Sequence, residues 1–552
     1  MKSNSQNKEN SSKLNSGQNG DMGSLAEKIA KNFDDENKVE NEKLMLGGQS
    51  VSIFYVDSLI DKALFSSGIM SHLSKLSKSL KQDTQNTSEQ SSSKQNSQND
   101  AQSLLETIKT ETVSISGAVE ENDVNECVKN IFSGFVVIAV GDNALCYPIF
   151  GVEKRGIAEP PTSRVVKGPR EGFVEDLATN VGLVRKRLKT PALKIVDMFV
   201  GKKSNTHISL MYLENVAKPE VVKEVKKRIK CIDIDAIIDS YYVESFLEEN
   251  KMKFFRRVGN TEKPDVLSAK ILEGRVGIIV DGSPIALTVP FVMFEDLQSS
   301  GDYYSIPSMA TFARLMRIFG LITAILAPGI YVALQSYNYR ILPINFLIAL
   351  LASIEGLSIP PLVEILVVLL LFEIITEASL QMPSALGMAL SIIGALALGS
   401  TAVDAGLLSA PSIVIVAISS VSLYIIPDQI SETRLIRLLM TVVGGVIGLY
   451  GIVTAFMILT TYLTSITSFG VPYMSPIAPS IRSDKKDSFI KQALQSMTTR
   501  PKLIAGQDKI RQKSSSRNND KISSGSDKSD VDALKVKENS TDFNKKKKGE
   551  DE

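Results

Sequence analysis

The chain has 552 residues, balances 62 Lys and Arg against 61 Asp and Glu, and is 43% hydrophobic. That length accommodates several domains, and the lack of a basic excess excludes nucleic acid as a partner. Two His and three Cys without CxxC or His-paired spacing exclude a zinc site and a His-based catalytic set, so neither a cofactor nor enzymatic activity is expected.

These averages conceal a change of character near residue 315. Residues 1–313 are mixed in composition, 314–466 are dominated by Leu, Ile, Val, Ala and Gly, and 480–552 are polar again. The opening MKSNSQNKENSSKLNSGQNG has no basic stretch followed by an apolar one, so no cleaved signal peptide is expected and the N-terminal part should stay cytoplasmic. Residues 1–45 and the insert 81–102 are rich in Ser, Asn, Lys and Gln; with few apolar side chains to offset ordering entropy, both are expected to be disordered. Cys127, Cys146 and Cys231 are expected as reduced, buried thiols.

From about 103 to 300 helical and strand patterns alternate, with an internal echo. SGFVVIAVGDNALCYPI (133–149) and EGRVGIIVDGSPIALTVP (273–290) each read as strand, Gly/Asp turn, strand, and each follows a helical stretch. The predicted fold class is an α/β cytoplasmic N-terminal domain of two similar subdomains, 46–205 and 206–313, then an α-helical multi-span membrane domain, 314–480, and a Lys-rich, mostly disordered cytoplasmic tail, 481–552. The Gly/Asp turns lack any GxGxxG or Walker pattern, so nucleotide binding is not expected.

Six apolar stretches follow, at about 315–336, 341–356, 361–382, 384–400, 407–427 and 435–466. A helix needs roughly 20 residues to cross about 30 Å of hydrocarbon. The second and fourth are shorter and sit beside Pro343, Pro360, Pro361 and Pro383, which suits discontinuous or re-entrant segments. Arg314 and Arg317 on one flank, with Arg482, Lys485 and Lys486 on the other, put both ends in the cytoplasm and require an even number of crossings, four or six. Arg434 and Arg437 fit neither count well.

The third stretch combines thirteen Leu, Ile, Val or Phe with Glu364, Glu373 and Glu377. Each apolar residue contributes about −0.3 to −0.6 kcal/mol to insertion, and a central carboxylate costs about 2.5 to 3.5 kcal/mol, so two of them consume most of the gain. Glu373, Glu377 and Gln381 recur every four residues and form one polar stripe, while Glu364 faces elsewhere. Such a stripe lines an ion path, binds a cation, or is satisfied within the bundle by basic groups, and all three readings stay open. The Gly-, Ala- and Ser-rich stretches after it permit close packing or a gating hinge.

Several segments, in order, closely resemble the A subunits of spore germinant receptors, the GerA family. They are IAEPPTSRVVKGPREGFVEDLATNVGLVRKRLK (157–189), IDIDAIIDSYYVESFLEEN (232–250), LEGRVGIIVDGSPIALTVP (272–290) and DYY (302–304), then EGLSIPPLVEILVVLLLFEIITEASLQMP, IIGALALGSTAVDAGLLSAP and SFGVPYMSPIAP (468–479). The resemblance spans residues 50–480 apart from the polar insert. The family more often has an acidic residue near Ser163 and Arg164, and GQAAV where this chain has Gly399 to Val403.

The resemblance implies a membrane protein of the spore inner membrane, with a transporter-like, nutrient-binding B subunit and a lipoprotein C subunit as partners. It also implies a homo-oligomeric ring conducting monovalent cations. Within that frame, the spacing offers Glu373, Glu377 and Gln381 as pore-facing groups, with Glu364 and Glu355 near the mouths. Gly387, Gly394 and Gly399 are offered for helix packing or gating, and Glu159, Arg170, Glu171, Glu175, Arg185 and Arg187 for a cytoplasmic contact surface. A non-conducting signalling subunit is the alternative. A secondary transporter ranks last, because residues 315–381 and 384–466 show no repeat. The terminal run Lys545 to Lys548 either touches anionic lipid headgroups or is simply solvated.

Overall fold

The computed structural model describes residues 24–86, 97–111, 117–149, 151, 159–160, 167–248, 254–355, 357, 359–381, 392, 394, 399 and 401–512. Two five-stranded antiparallel sheets are built on one plan. The first runs β1 (Glu40–Leu46), β2 (Gln49–Tyr55), β3 (Val119–Glu121), β4 (Phe135–Val140) and β5 (Asn143–Pro148), in the order β1-β2-β4-β5-β3. The second runs β6 (Leu193–Val200), β7 (Thr206–Leu213), β8 (Gly259–Thr261), β9 (Val276–Val280) and β10 (Ala286–Val289), in the order β6-β7-β9-β10-β8. The two echoing segments are the hairpins β4–β5 and β9–β10, at the same place in each sheet. Their turns use Gly141 at φ 63 and Gly282 at φ 84, a region that favours glycine.

The second sheet begins at β6, ahead of the boundary expected at 206. LKIVDMFV conceals a strand because Lys194 and Asp197 interrupt its apolar run; both are paired, Lys194 with Asp34 and Asp197 with Lys38 at 2.8 Å.

The N-terminal expectation also needs correction. Residues 24–45 are folded: α1 (Leu25–Ala30) buries Leu25 and Ile29 against Cys127, Ile131 and Phe132, and β1 completes the sheet edge. Leu25, Ile29 and Phe33 recur at helical spacing, a stripe that bulk composition hides. The segment after α1 stitches the sheets together, because the Asn37 amide donates to the Pro191 carbonyl at 2.5 Å and Tyr212 donates to Glu36 at 2.7 Å. Residues 1–23 lie outside the described residues.

The insert expected at 81–102 is helical at both ends, since α2 (Ser71–Asn86) enters it and α3 (Ser97–Glu111) leaves it; 87–96 lie outside the described residues. Leu73 and Leu76 of α2, with Leu105 and Ile108 of α3, pack on the first sheet and anchor both helices. Next come α4 (Val124–Ile131), α5 (Leu177–Arg187), α6 (Pro219–Lys230), α7 (Ser240–Leu247) and α8 (Pro264–Leu272). Cys127 and Cys146 are buried, but Cys231, just past the end of α6, is exposed.

Among the described residues the longer helices of the helical part are α9 (Pro307–Ser336), α10 (Ile344–Ile354), α11 (Pro361–Gln381), α12 (Ala410–Leu423), α13 (Ile430–Ile447) and α14 (Leu449–Ser465). Of the four to six crossings expected, one is plain among the described residues: α9 is long and apolar enough by length and composition. A second is added if the pair α12 and Pro427–Ile447, bent by 109°, counts as one span. The stretch 435–466 is not one helix; it breaks at Gly448, whose φ is 78. Most of 384–400 lies outside the described residues.

The tail expected to be disordered from 481 folds back on the soluble part. Gly506 and Asp508 donate backbone N–H bonds to Val216 and Asn215 at 2.7 and 3.0 Å, and Ile504 is buried with Val292 and Val471. Residues 493–499 and 510–512 form a small unit of their own, in which Thr499 bridges Ile510. Residues 513–552, with Lys545 to Lys548, lie outside the described residues.

Candidate functional site

α11 starts at Pro361, where a missing N–H costs nothing, and runs through a nearly unbroken apolar series. Its three carboxylates meet three different fates. Glu364 is 1% exposed and accepts the backbone N–H of Ser409 at 2.7 Å, at the start of α12. A carboxylate there faces the positive end of a helix. Ser409 contacts Ser412 at 2.8 Å, and Ser412 reaches the Tyr331 hydroxyl of α9 at 3.4 Å. Glu364 is therefore a buried joint between three helices, held by a partner within the chain rather than open to solvent.

Glu373 is an ion-pair partner. One oxygen accepts from Arg437 at 2.6 Å and the other lies 3.2 Å from Nε of Arg434. The Arg437 side chain is only 3% exposed, and its other terminal nitrogen reaches the Ser420 hydroxyl at 3.2 Å. Ser419 beside it donates to the Ala324 carbonyl of α9 at 2.8 Å. One polar cluster thus ties α9, α11, α12 and α13. With two guanidinium groups on one carboxylate, it carries a net positive charge, so Glu373 does not act as a free cation-attracting group within one chain. The same contacts explain the two arginines that fitted no crossing count.

Glu377 and Gln381 are exposed, and the Gln381 amide donates to Glu377 at 3.1 Å. Glu355, at the end of α10, is exposed as well. The stripe expected from spacing therefore divides, with Glu373 turned into the bundle and Glu377 and Gln381 outward.

Close helix packing falls partly elsewhere than expected. A Cβ on Gly444 of α13 would lie 2.5 Å from the Gly329 carbonyl oxygen of α9, and one on Gly329 would lie 2.7 Å from the Met440 carbonyl oxygen. A Cβ on Gly394 would lie 2.9 Å from the Ile375 side chain of α11, whereas one on Gly399 would meet nothing within 4 Å among the described residues. Gly387 lies outside them. The GG of TVVGGVIG was the signal for the true crossing.

A second charged cluster joins the soluble part to α9. Asp302 accepts from Arg314 at 3.1 Å and from Arg317 at 2.7 and 2.8 Å, and Arg314 also binds Asp487 of the returning tail at 2.9 Å. Burial pushes the Asp302 carboxyl up, but the Arg317 and Arg314 guanidinium groups outweigh it and hold it below the usual aspartate range. Arg314 is 0% exposed, so it is a structural cation and not a headgroup-facing flank. Nearby, Arg256 pairs with Asp296, which also accepts from Gln429 at 2.9 Å.

Of the residues expected to form a contact surface, Glu171 pairs with Arg187 at 2.5 Å and Lys186 at 3.5 Å, Glu159 lies 3.8 Å from Arg170, and Glu175 is exposed. Arg185 is not a surface residue. It is buried between the sheets, donates to the Asn37 carbonyl and lies over the Phe132 ring at 5.9 Å; burial lowers its pKa to about 10.

Residues 27–503 match the family described as Bacillus/Clostridium GerA spore germination protein. Spore germination protein KA of Bacillus subtilis (strain 168) is 35% identical over 412 residues, 74% of this chain and 76% of that protein. Spore germination protein GerLA of Bacillus cereus is 31% identical over 410 residues, 74% of this chain and 83% of that protein. The uncharacterized membrane protein YfkQ of Bacillus subtilis (strain 168) is 35% identical over 394 residues, 71% of this chain and 77% of that protein. The crystal structure of the N-terminal domain of the A subunit of the Bacillus megaterium spore germinant receptor GerK3 aligns at 27% identity and a TM-score of 0.33, covering 48% of this chain and 91% of that one.

Proposed function

The chain belongs to the GerA family of spore germination proteins, and on that premise we propose that it is the A subunit of a nutrient germinant receptor. In this reading it is integral to the spore inner membrane, with its N- and C-terminal regions on the core side. A transporter-like B subunit binds the nutrient, a lipoprotein C subunit completes the receptor, and copies of this chain form a ring that conducts monovalent cations.

The observation that carries the reading is the pair Glu377 and Gln381, exposed on a largely apolar helix one turn from the ion-paired Glu373. A carboxylate in that position needs a wet surface, and an ion path between copies supplies one. The test is potassium release from spores carrying Glu377→Gln, with Glu373→Gln in parallel, once protein levels match wild type. Altered release, or leak without nutrient, supports conduction. Unchanged release and nutrient response for Glu377→Gln removes it and leaves the second reading, a non-conducting signalling subunit. What favours that second reading is the buried link from Asp302 to Arg314 and Arg317, which couples the soluble part directly to α9.

A further inference from the structure

Between α9, α10 and α12 lies a cavity of about 320 Å³, walled by α9 from Ala327 to Gln335, by Phe346 and Leu350 of α10 and by Ile415 of α12. Its walls are mostly hydrocarbon. The side-chain carbonyl oxygen of Gln335 is buried, however, and accepts no hydrogen bond among the described residues. Buried acceptors are ordinarily paired, so this one calls for a donor from outside the chain. Phe346 is 52% exposed, which opens the cavity to the outside of the bundle.

The depth of the cavity identifies that donor. Arg314 sits at the junction with the soluble part, and Gln335 lies about 32 Å beyond it along α9 at the rise of an α-helix, against about 30 Å of hydrocarbon. Gln335 therefore stands at the far headgroup level, and Ala327, about 12 Å back along the same helix, lies within the hydrocarbon. The connection after α9 fits that level, since Tyr337 and Tyr339 are exposed, as tyrosines are at a membrane surface. Arg340 beside them is exposed and pairs with no carboxylate among the described residues. Leu342, two residues on, lines the cavity, so Arg340 stands at its rim.

We propose that the cavity holds one acyl chain of an anionic phospholipid whose headgroup carries a free hydroxyl, as that of phosphatidylglycerol does. The chain descends from the level of Gln335 toward Ala327, the headgroup hydroxyl donates to the Gln335 oxygen, and the phosphate meets Arg340 in a charge-assisted pair. An apolar cavity of about 150 Å³ takes a benzene, so this one has room for roughly ten carbons of the chain. The headgroup of phosphatidylcholine has no donor to give and would leave Gln335 unpaired. The inference rests on the membrane placement argued above. A lipid seated there makes the packing of α10 on α9 depend on the composition of the bilayer.

The full chain, purified in detergent with phosphatidylcholine and phosphatidylglycerol supplied equally, should retain phosphatidylglycerol in preference when weighed by native mass spectrometry. Gln335→Leu and Arg340→Gln should each lower that retention severalfold. Phe346→Trp locates the lipid, because the chain contains no Trp of its own. In phosphatidylcholine nanodiscs holding a small fraction of phosphatidylglycerol with brominated chains, its emission should fall severalfold more than that of Ile322→Trp, on the exposed side of α9. Equal retention of the two lipids, retention of neither, or retention untouched by both substitutions overturns the proposal. So does equal quenching at 346 and 322, the result also expected if a second copy covers the cavity. No quenching at either position in a fully brominated bilayer overturns the membrane placement itself.

Discussion

Arg437 of α13 and Glu373 of α11 meet at 2.6 Å although 64 residues separate them, and the arginine is buried while the carboxylate is half-buried. Removing the acid strands a cation that has little access to water, which costs about 3 kcal/mol or more when a buried pair is broken from one side. Glu373→Gln should therefore lower the unfolding temperature of the detergent-solubilised protein. Glu373→Gln combined with Arg437→Leu should recover much of the loss. A double variant as unstable as the sum of the singles would show that the two groups do not act as a pair.

Asp302 predicts an acid-sensitive junction. Its carboxyl is held below the usual range, so its contribution is complete above the unfolded aspartate pKa of about 3.9 and disappears as pH falls through the lower folded value. Asp302→Asn should destabilise the protein at neutral pH, by about 3 kcal/mol or more. The gap between variant and wild type should close in strong acid. A gap independent of pH down to strong acid would contradict the charge-based account.

Glu364 acts through geometry as much as charge. Glu364→Gln keeps an acceptor for the Ser409 N–H and should cost little. Glu364→Ala leaves that donor unsatisfied in the bundle, at about 1–3 kcal/mol. Thermal unfolding of the two variants separates an acceptor role from an ionic one.

The helix crossing at Gly444 gives a steric prediction. Gly444→Ala places a methyl 2.5 Å from the Gly329 carbonyl oxygen, and forcing α9 and α13 apart should cost about 1–3 kcal/mol. A Gly444→Ala variant as stable as wild type would refute the assignment of the crossing.

What the sequence disclosed follows from how far each signal reaches. The hairpins at Gly141 and Gly282 are local, so strand, turn and strand were readable on the page. Helix α1 was missed because three apolar residues in a Lys- and Asn-rich stretch look negligible until the sheet they cover is known. The returning tail was missed for the same reason, since Ile504 gains its neighbours only through residues far upstream. At α11 periodicity placed Glu373, Glu377 and Gln381 on one stripe but was silent on which of them meets a guanidinium. The arginines of ISETRLIRLLM carried that information, as cations in an apolar series that required a carboxylate from elsewhere.

The contact between Arg314 and Asp487 has a mechanical consequence. The segment that enters α9 and the segment that follows α14 are both fastened to the soluble part, the second also through the Ser468 hydroxyl, which accepts the Phe291 N–H at 3.0 Å. With Gln429, between α12 and α13, also bound to Asp296 at 2.9 Å, the soluble part is fastened at three places, so a push on it reaches the first helix, the last helix and the turn between α12 and α13 together.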